Sequence, residues 1–197
     1  MRAITAAIVT LVTWGSALAT TNTSGHPYRK QYIHETFGKK AYVGTAGRAA
    51  FGQALNRPHE WGRGPGGFGK RLASGFATHV VKNSIEYGVA GIRHEDLHYH
   101  RSAQRGFGPR LRHALVSTVV TRKTTTGRRT VASGKISGAM GSGLVSRMWQ
   151  PARLHTVSSG LATGGITLGA EAGMNVAREF WPHKRHSARR PVATRHS

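Results

Sequence analysis

The sequence predicts a mainly α fold: a compact bundle of about five helices, packed closely through glycine and alanine, with a disordered basic C-terminal tail. Three observations predict it. Apolar residues recur at helical spacing through 70–92. Small residues recur every fourth position in 39–55, 131–149 and 157–180. Breakers at 56–58 and 150–152 divide these runs.

Taken in order, Met1-Arg2 is a short positive start, and 3–14 is an uncharged, largely apolar run. Ser16-Ala17-Leu18-Ala19 then offers a small-x-small cleavage site. This pattern predicts a signal peptide over 1–19, with a retained membrane anchor as the alternative. Residues 20–33, with Gly25, Pro27 and several threonines, are expected to form a flexible leader. The helical domain is expected over 34–181 and the tail over 182–197.

Within the domain, Ala41, Thr45 and Ala49 form the inward row of a first helix over 39–55. Asn56-Arg57-Pro58 ends it, because the residue before proline avoids helical angles. Leu72, Phe76, Val80, Val81, Ile85, Val89 and Ile92 give the second helix, 70–92, a stripe held for about six turns. Residues 110–121 favour a helix through Leu111, Leu115 and Val119. The β-branched run 116–121 also suits a strand, paired across Thr126-Gly127 with Thr130-Val131. Gly134, Gly138 and Ser142 mark a fourth helix over 131–149. Gly165, Gly169 and Gly173, with Gly160 and Gly164 in a parallel row, mark a fifth over 157–180. Each glycine costs an isolated helix roughly 1 kcal/mol relative to alanine. Close backbone approach would offset that, so the last two helices are expected to pack as an antiparallel hairpin. A glycine zipper of this kind could be membrane-associated, or span the bilayer as an integral protein, because 157–177 carries only Glu171 as a charge.

Three His-Glu pairs, at 34–35, 59–60 and 94–95, each precede a Phe-Gly-basic segment at a different distance, which could mark a divergent helical repeat.

Charge limits the partners. The chain holds 29 lysines and arginines against seven acids, with twelve histidines and no cysteine. Disulfides, a lipid-modified N-terminal cysteine and a cysteine nucleophile are excluded. A net charge of +22 is self-repelling, and an anionic partner would relieve it. Behind a signal peptide the candidate partners are anionic lipid headgroups, envelope polysaccharide and extracellular nucleic acid, which places the protein in the periplasm or cell envelope. Lys184, Arg185, Arg189 and Arg190 in the tail are candidate anion-binding residues.

Four local patterns could carry chemistry. His94-Glu95-Asp96-Leu97-His98 satisfies H-E-x-x-H and to that extent resembles the zinc metallopeptidases. On a helix the two imidazoles would share a face, with Glu95 as the catalytic base. No Asp or Glu lies between Asp96 and Glu171, so His100 or His113 would have to be the third metal ligand, with zinc the possible cofactor. Incidental metal binding by His94, His98 and His100 is a second reading. A charged loop, with Glu95 and Asp96 paired to Arg93 or Arg101, is a third. The stretch 64–70 nearly matches a phosphate-cradling loop, but Arg71 replaces the magnesium-holding hydroxyl and no apolar strand precedes it. What survives is a helix N-terminus whose amides, with Lys70 and Arg71, could hold phosphate or sulfate; a hinge loop that tucks Trp61 and Phe68 inward is the alternative. Glu60 beside Trp61 could be a glycosidase-type acid. No serine stands in a recognisable nucleophile setting.

The stretch Glu60-Trp61-Gly62 through Gly67-Phe68-Gly69, with Glu95-Asp96-Leu97-x-Tyr99, resembles a group of uncharacterised exported proteins of soil bacteria, across about 59–181. That resemblance implies export and no particular activity. The expected function is therefore a non-enzymatic, exported basic protein that binds anionic lipid or polymer. A zinc peptidase and an integral glycine-hairpin protein are the alternatives.

Overall fold

The computed structural model describes residues 27–181, so the expected signal peptide, the first part of the leader and the tail cations Lys184, Arg185, Arg189 and Arg190 lie outside the described residues. The fold is a helical bundle: α1 (Pro27–Phe37), α2 (Lys39–Ala54), α3 (Pro65–Arg93), α4 (Phe107–Val119), α5 (Ser133–Ser146) and α6 (Val157–Phe180). A hairpin of β1 (Val120–Arg122) and β2 (Arg129–Val131) links α4 to α5. The five expected helices are present. The sixth, α1, begins inside the stretch read as leader, where no apolar period announces it.

Residues 116–131 divide between the two readings. Helix α4 continues to Val119, and the β-branched residues after it pair as Val120 with Val131 and Thr121 with Thr130. Helix α2 buries Ala41, Thr45 and Ala49, the row that the spacing predicts. Leu55 caps it with helical angles and Asn56 turns left-handed (φ 49°), ahead of Pro58. The three His-Glu pairs occupy unlike places: inside α1, in a short 3-10 turn at His59–Trp61, and past the end of α3. No structural repeat relates them.

Helix α3, 29 residues and roughly 43 Å long, is the axis of the bundle. Gly64 precedes it and Pro65 takes its first turn, where a missing N–H costs nothing. One side carries α1 and α2. Asn83 donates to Thr36 Oγ1 at 3.0 Å, Tyr32 and Ser84 share a 3.0 Å hydroxyl bond, and the Tyr42 and Phe76 rings stack at 5.3 Å. The other side carries α5, which in turn carries α6.

These layers sit close because glycine occupies the contact positions. A Cβ on Gly138 would lie 2.9 Å from Lys82 O of α3, and one on Gly143 only 2.2 Å from Gly160 O of α6. The consequence is a core of small and polar groups. Its buried apolar members are mostly alanines (41, 49, 90, 114, 132, 139), and the largest fully buried side chains include Glu95 and Glu179. Ser142 and Ser146 turn their hydroxyls onto the Ala139 and Gly143 carbonyls, so burial leaves neither unpaired.

The antiparallel hairpin of α5 and α6 is present, but the membrane-associated glycine-zipper reading is overturned. Among the described residues no helix is long and apolar enough to cross a membrane. Helix α6 instead supplies Glu171 to Lys82 of α3 at 2.6 Å, within a buried charge cluster that also holds Glu86. The expected contact row is also displaced. A Cβ added to Gly165, Gly169 or Gly173 would meet nothing within 4 Å, whereas one on Gly160 or Gly164 would meet α5.

This gives a paired prediction. Gly143→Ala should destabilise the protein by about 2 kcal/mol, because the methyl meets backbone that cannot yield without parting two helices. Gly169→Ala should stabilise it by about 1 kcal/mol, because only helix propensity changes there. Urea midpoints of the two variants against the parent check both signs.

Candidate functional site

The H-E-x-x-H stretch is not helical. His94 is the left-handed cap that ends α3 (φ 54°), and 95–100 continue as irregular chain beside β1. The backbone pairs there, with Asp96 N donating to Arg122 O at 2.8 Å and Thr124 N to His94 O at 2.8 Å.

Glu95 is sealed from solvent, and its carboxylate is fully engaged. It accepts from Arg93 Nε at 3.0 Å, Ser133 Oγ at 2.7 Å and Gly134 N at 2.9 Å. The last two lie in the first turn of α5, so Glu95 caps that helix from a distant part of the chain and meets its positive end. A catalytic base must reach water or substrate, and this one reaches neither. Among the described residues no group of three or more His, Cys, Asp or Glu is placed to hold a metal ion, so His94, His98 and His100 do not come together as ligands. His98 Nδ1 and His100 Nε2 instead share the Asp96 carboxylate, at 3.1 and 2.8 Å. Partial burial would raise the Asp96 carboxyl, yet hydrogen bonds from His100, the His98 amide and the His98 ring outweigh it and hold the group below the usual range.

Arg71 is also redirected. Its guanidinium is buried and donates to Arg57 O, Gln53 Oε1, Gly62 O, Asn56 Oδ1 and Pro58 O at 2.6–3.5 Å. All five N–H groups of the fork are used internally, so this residue is not an anion ligand. It clamps the loop between α2 and α3. Because α3 starts at Pro65, the glycine stretch 66–69 is helix and no phosphate-cradling loop forms; Lys70 is exposed on its surface. Glu60 is bound by Arg153 Nε at 2.6 Å, and that hydrogen bond lowers its pKa to about 2. A general acid needs the opposite shift, which speaks against the glycosidase reading.

The structure brings together a different set. A cleft of about 600 Å³ opens between the 98–104 loop, α4 and the β-hairpin. It is lined by His98, His100 and His113 and by Arg101, Arg112, Arg122 and Arg129, with no acidic residue in its wall. Its loop is pinned from below. Glu179, at the end of α6 and inaccessible to water, accepts from Tyr99 Oη at 2.7 Å, Ser102 N at 3.1 Å and Arg110 Nε at 2.8 Å. Burial pushes the Glu179 carboxyl up, but these three donors together hold it below its ordinary value. His113 Nε2 meets His100 O at 2.9 Å and fixes the rim from α4.

The hairpin concentrates the charge further. Arg122 lies directly opposite Arg129, and Lys123 and Arg128 follow at its end. Like charges facing across two strands repel. Among the described residues the side chains of Arg112, Arg122 and Arg129 make no ion pair or hydrogen bond that would offset this. Sequence reasoning missed these three arginines, and considered His113 only as a metal ligand. The density of cations at 122–129 was the available signal, and the strand pairing that aligns them was there only an alternative. Compared with protein-family models, with curated proteins and with solved structures, the chain matches none.

Proposed function

We propose that the protein is an exported, non-enzymatic binder of anionic envelope polymer, attached through its outward cations and its basic tail. The observation that carries this reading is the fate of the acids. Six of the seven, Glu60, Glu86, Glu95, Asp96, Glu171 and Glu179, are taken up in internal pairs with lysine, arginine or histidine. With these acids already paired, most of the remaining lysines and arginines have no acid of the chain left to neutralise them, and a polyanion is the partner that supplies the missing charge. Export rests on the pattern of residues 1–19.

Binding of this kind is carried by many weak contacts and is screened by salt, over about 10 Å at 0.1 M and about 3 Å at 1 M. Deleting 182–197, which removes five lysines and arginines, should weaken binding to an acidic polysaccharide roughly tenfold at low salt. Salt near 1 M should release both forms. A truncated protein that binds as tightly as the parent, at low and high salt alike, would refute the proposal.

A further inference from the structure

We propose that the cleft walled by α4, the 98–104 loop and the β-hairpin is where the polymer is gripped, and that the group it grips is the phosphate of a polyol- or sugar-phosphate chain, held by Arg112, Arg122 and Arg129. The inference rests on the polyanion reading above and names the site and the chemistry within it. Four observations carry it.

The first is the cross-strand pair. Arg122 and Arg129 occupy one register position on neighbouring strands, with no acid in the cleft wall beside them. A single anionic group between them turns a repulsive pair into a two-sided clamp. The second is the choice of cation: every Lys or Arg in the wall is arginine. A guanidinium fork gives paired N–H bonds to oxyanions, whereas general attraction to a polyanion is served as well by lysine. Two forks approaching from facing strands suit the out-of-plane oxygens of a tetrahedral phosphate. A carboxylate puts both oxygens in one plane and pairs best with one fork.

The third observation is size. About 600 Å³ is far more than a lone anion fills, and falls in the range of sites for whole ligands or polymer segments. The fourth is what lines the remainder. Ser102, Gln104, Ser117 and Thr121 offer hydroxyl and amide groups, and no Phe, Tyr or Trp is in the wall. Single-stranded nucleic acid is held by stacking its bases on aromatic rings. This wall suits hydroxylated linkers between phosphates and lacks those platforms.

The rigidity of the site is consistent with a clamp. The backbone of β1 is tied on both edges, to β2 and to Asp96, and Asp96 and Glu179 hold the facing loop. The arginines therefore project from a fixed frame.

The test is equilibrium binding of the full chain, at about 0.15 M salt, to three probes of matched charge number: a poly(glycerol phosphate), a polygalacturonate and a single-stranded oligonucleotide. The glycerol-phosphate chain should bind at least about tenfold tighter than either of the others. Arg122→Gln with Arg129→Gln should erase that preference. Lys39→Gln with Lys40→Gln, which removes the same charge from exposed positions on α2, should change it less than about twofold. Helicity of both double variants should be unaltered, because the first only relieves a like-charge pair. Equal loss in the two variants would reduce the cleft to bulk charge and overturn the inference. So would polygalacturonate or the oligonucleotide binding as tightly as the glycerol phosphate. Both of those results leave general polyanion binding standing. Failure of all three probes to bind at low salt would remove that reading as well.

Discussion

Arg71→Met should lower the free energy of unfolding by about 3 kcal/mol, because it keeps the apolar stem and removes the guanidinium. The guanidinium is buried and meets five oxygens, three of them backbone carbonyls in 57–62. Methionine replaces the stem of the side chain but not the fork, and donates nothing. Each acceptor stranded away from water costs about 1–3 kcal/mol, reduced where the loop can open to solvent. Arg71→Lys should recover only part of the loss, since one ammonium with three donors cannot span positions set for a five-donor fork. Urea unfolding of the three proteins decides it. A methionine variant within about 0.5 kcal/mol of the parent would mean the loop is held by something else.

Glu179→Gln should cost about 3 kcal/mol near neutral pH, because it breaks a buried charge pair with Arg110 and weakens the bonds to Tyr99 and Ser102. The effect has a pH signature with a fixed sign. The folded-state pKa of Glu179 is depressed, so its contribution is complete above the unfolded carboxylate value, about 4.3, and is lost as pH falls through the lower folded value. The gap in stability between parent and variant should thus be constant from neutral pH to about 5 and close in stronger acid. A gap that widens on acidification would show that the carboxylate is not the stabilised form. Since Tyr99 and Ser102 carry the cleft loop, the variant should also bind polyanion more weakly than its unchanged cationic residues suggest.

Local pattern and tertiary context contributed different things to this fold. The row Ala41, Thr45 and Ala49 reads directly as a buried helix face, and α6 runs over the residues its pattern marks, because helical period and breakers act within a few turns. Helix α1 has no such signature. Its Thr36 is buried by a bond to Asn83, 47 residues away, and Tyr28 donates to the Glu95 carbonyl, 67 residues away. Such elements are stabilised by what they dock on, which local spacing does not record.

The same division separates the arginine-lined cleft from the sites that local spacing suggested. Residue types at short spacing suggested a metal centre at His94, Glu95 and His98 and an anion site at Lys70 and Arg71. Packing assigned Glu95 to the cap of α5 and Arg71 to a loop clamp. Buried charges are retained only where partners satisfy them, and those partners come from distant parts of the chain. The helical class, the breaks between α2, α3, α5 and α6, and the excess of positive charge are legible in the order of the amino acids, since each is a local or summed property. Packing settles which glycine row forms the helix contact, which acids are withdrawn into pairs, and that Arg112, Arg122 and Arg129 line one cleft. Those outcomes depend on which surfaces meet when the chain closes, and the close approach that glycine permits is what lets them meet.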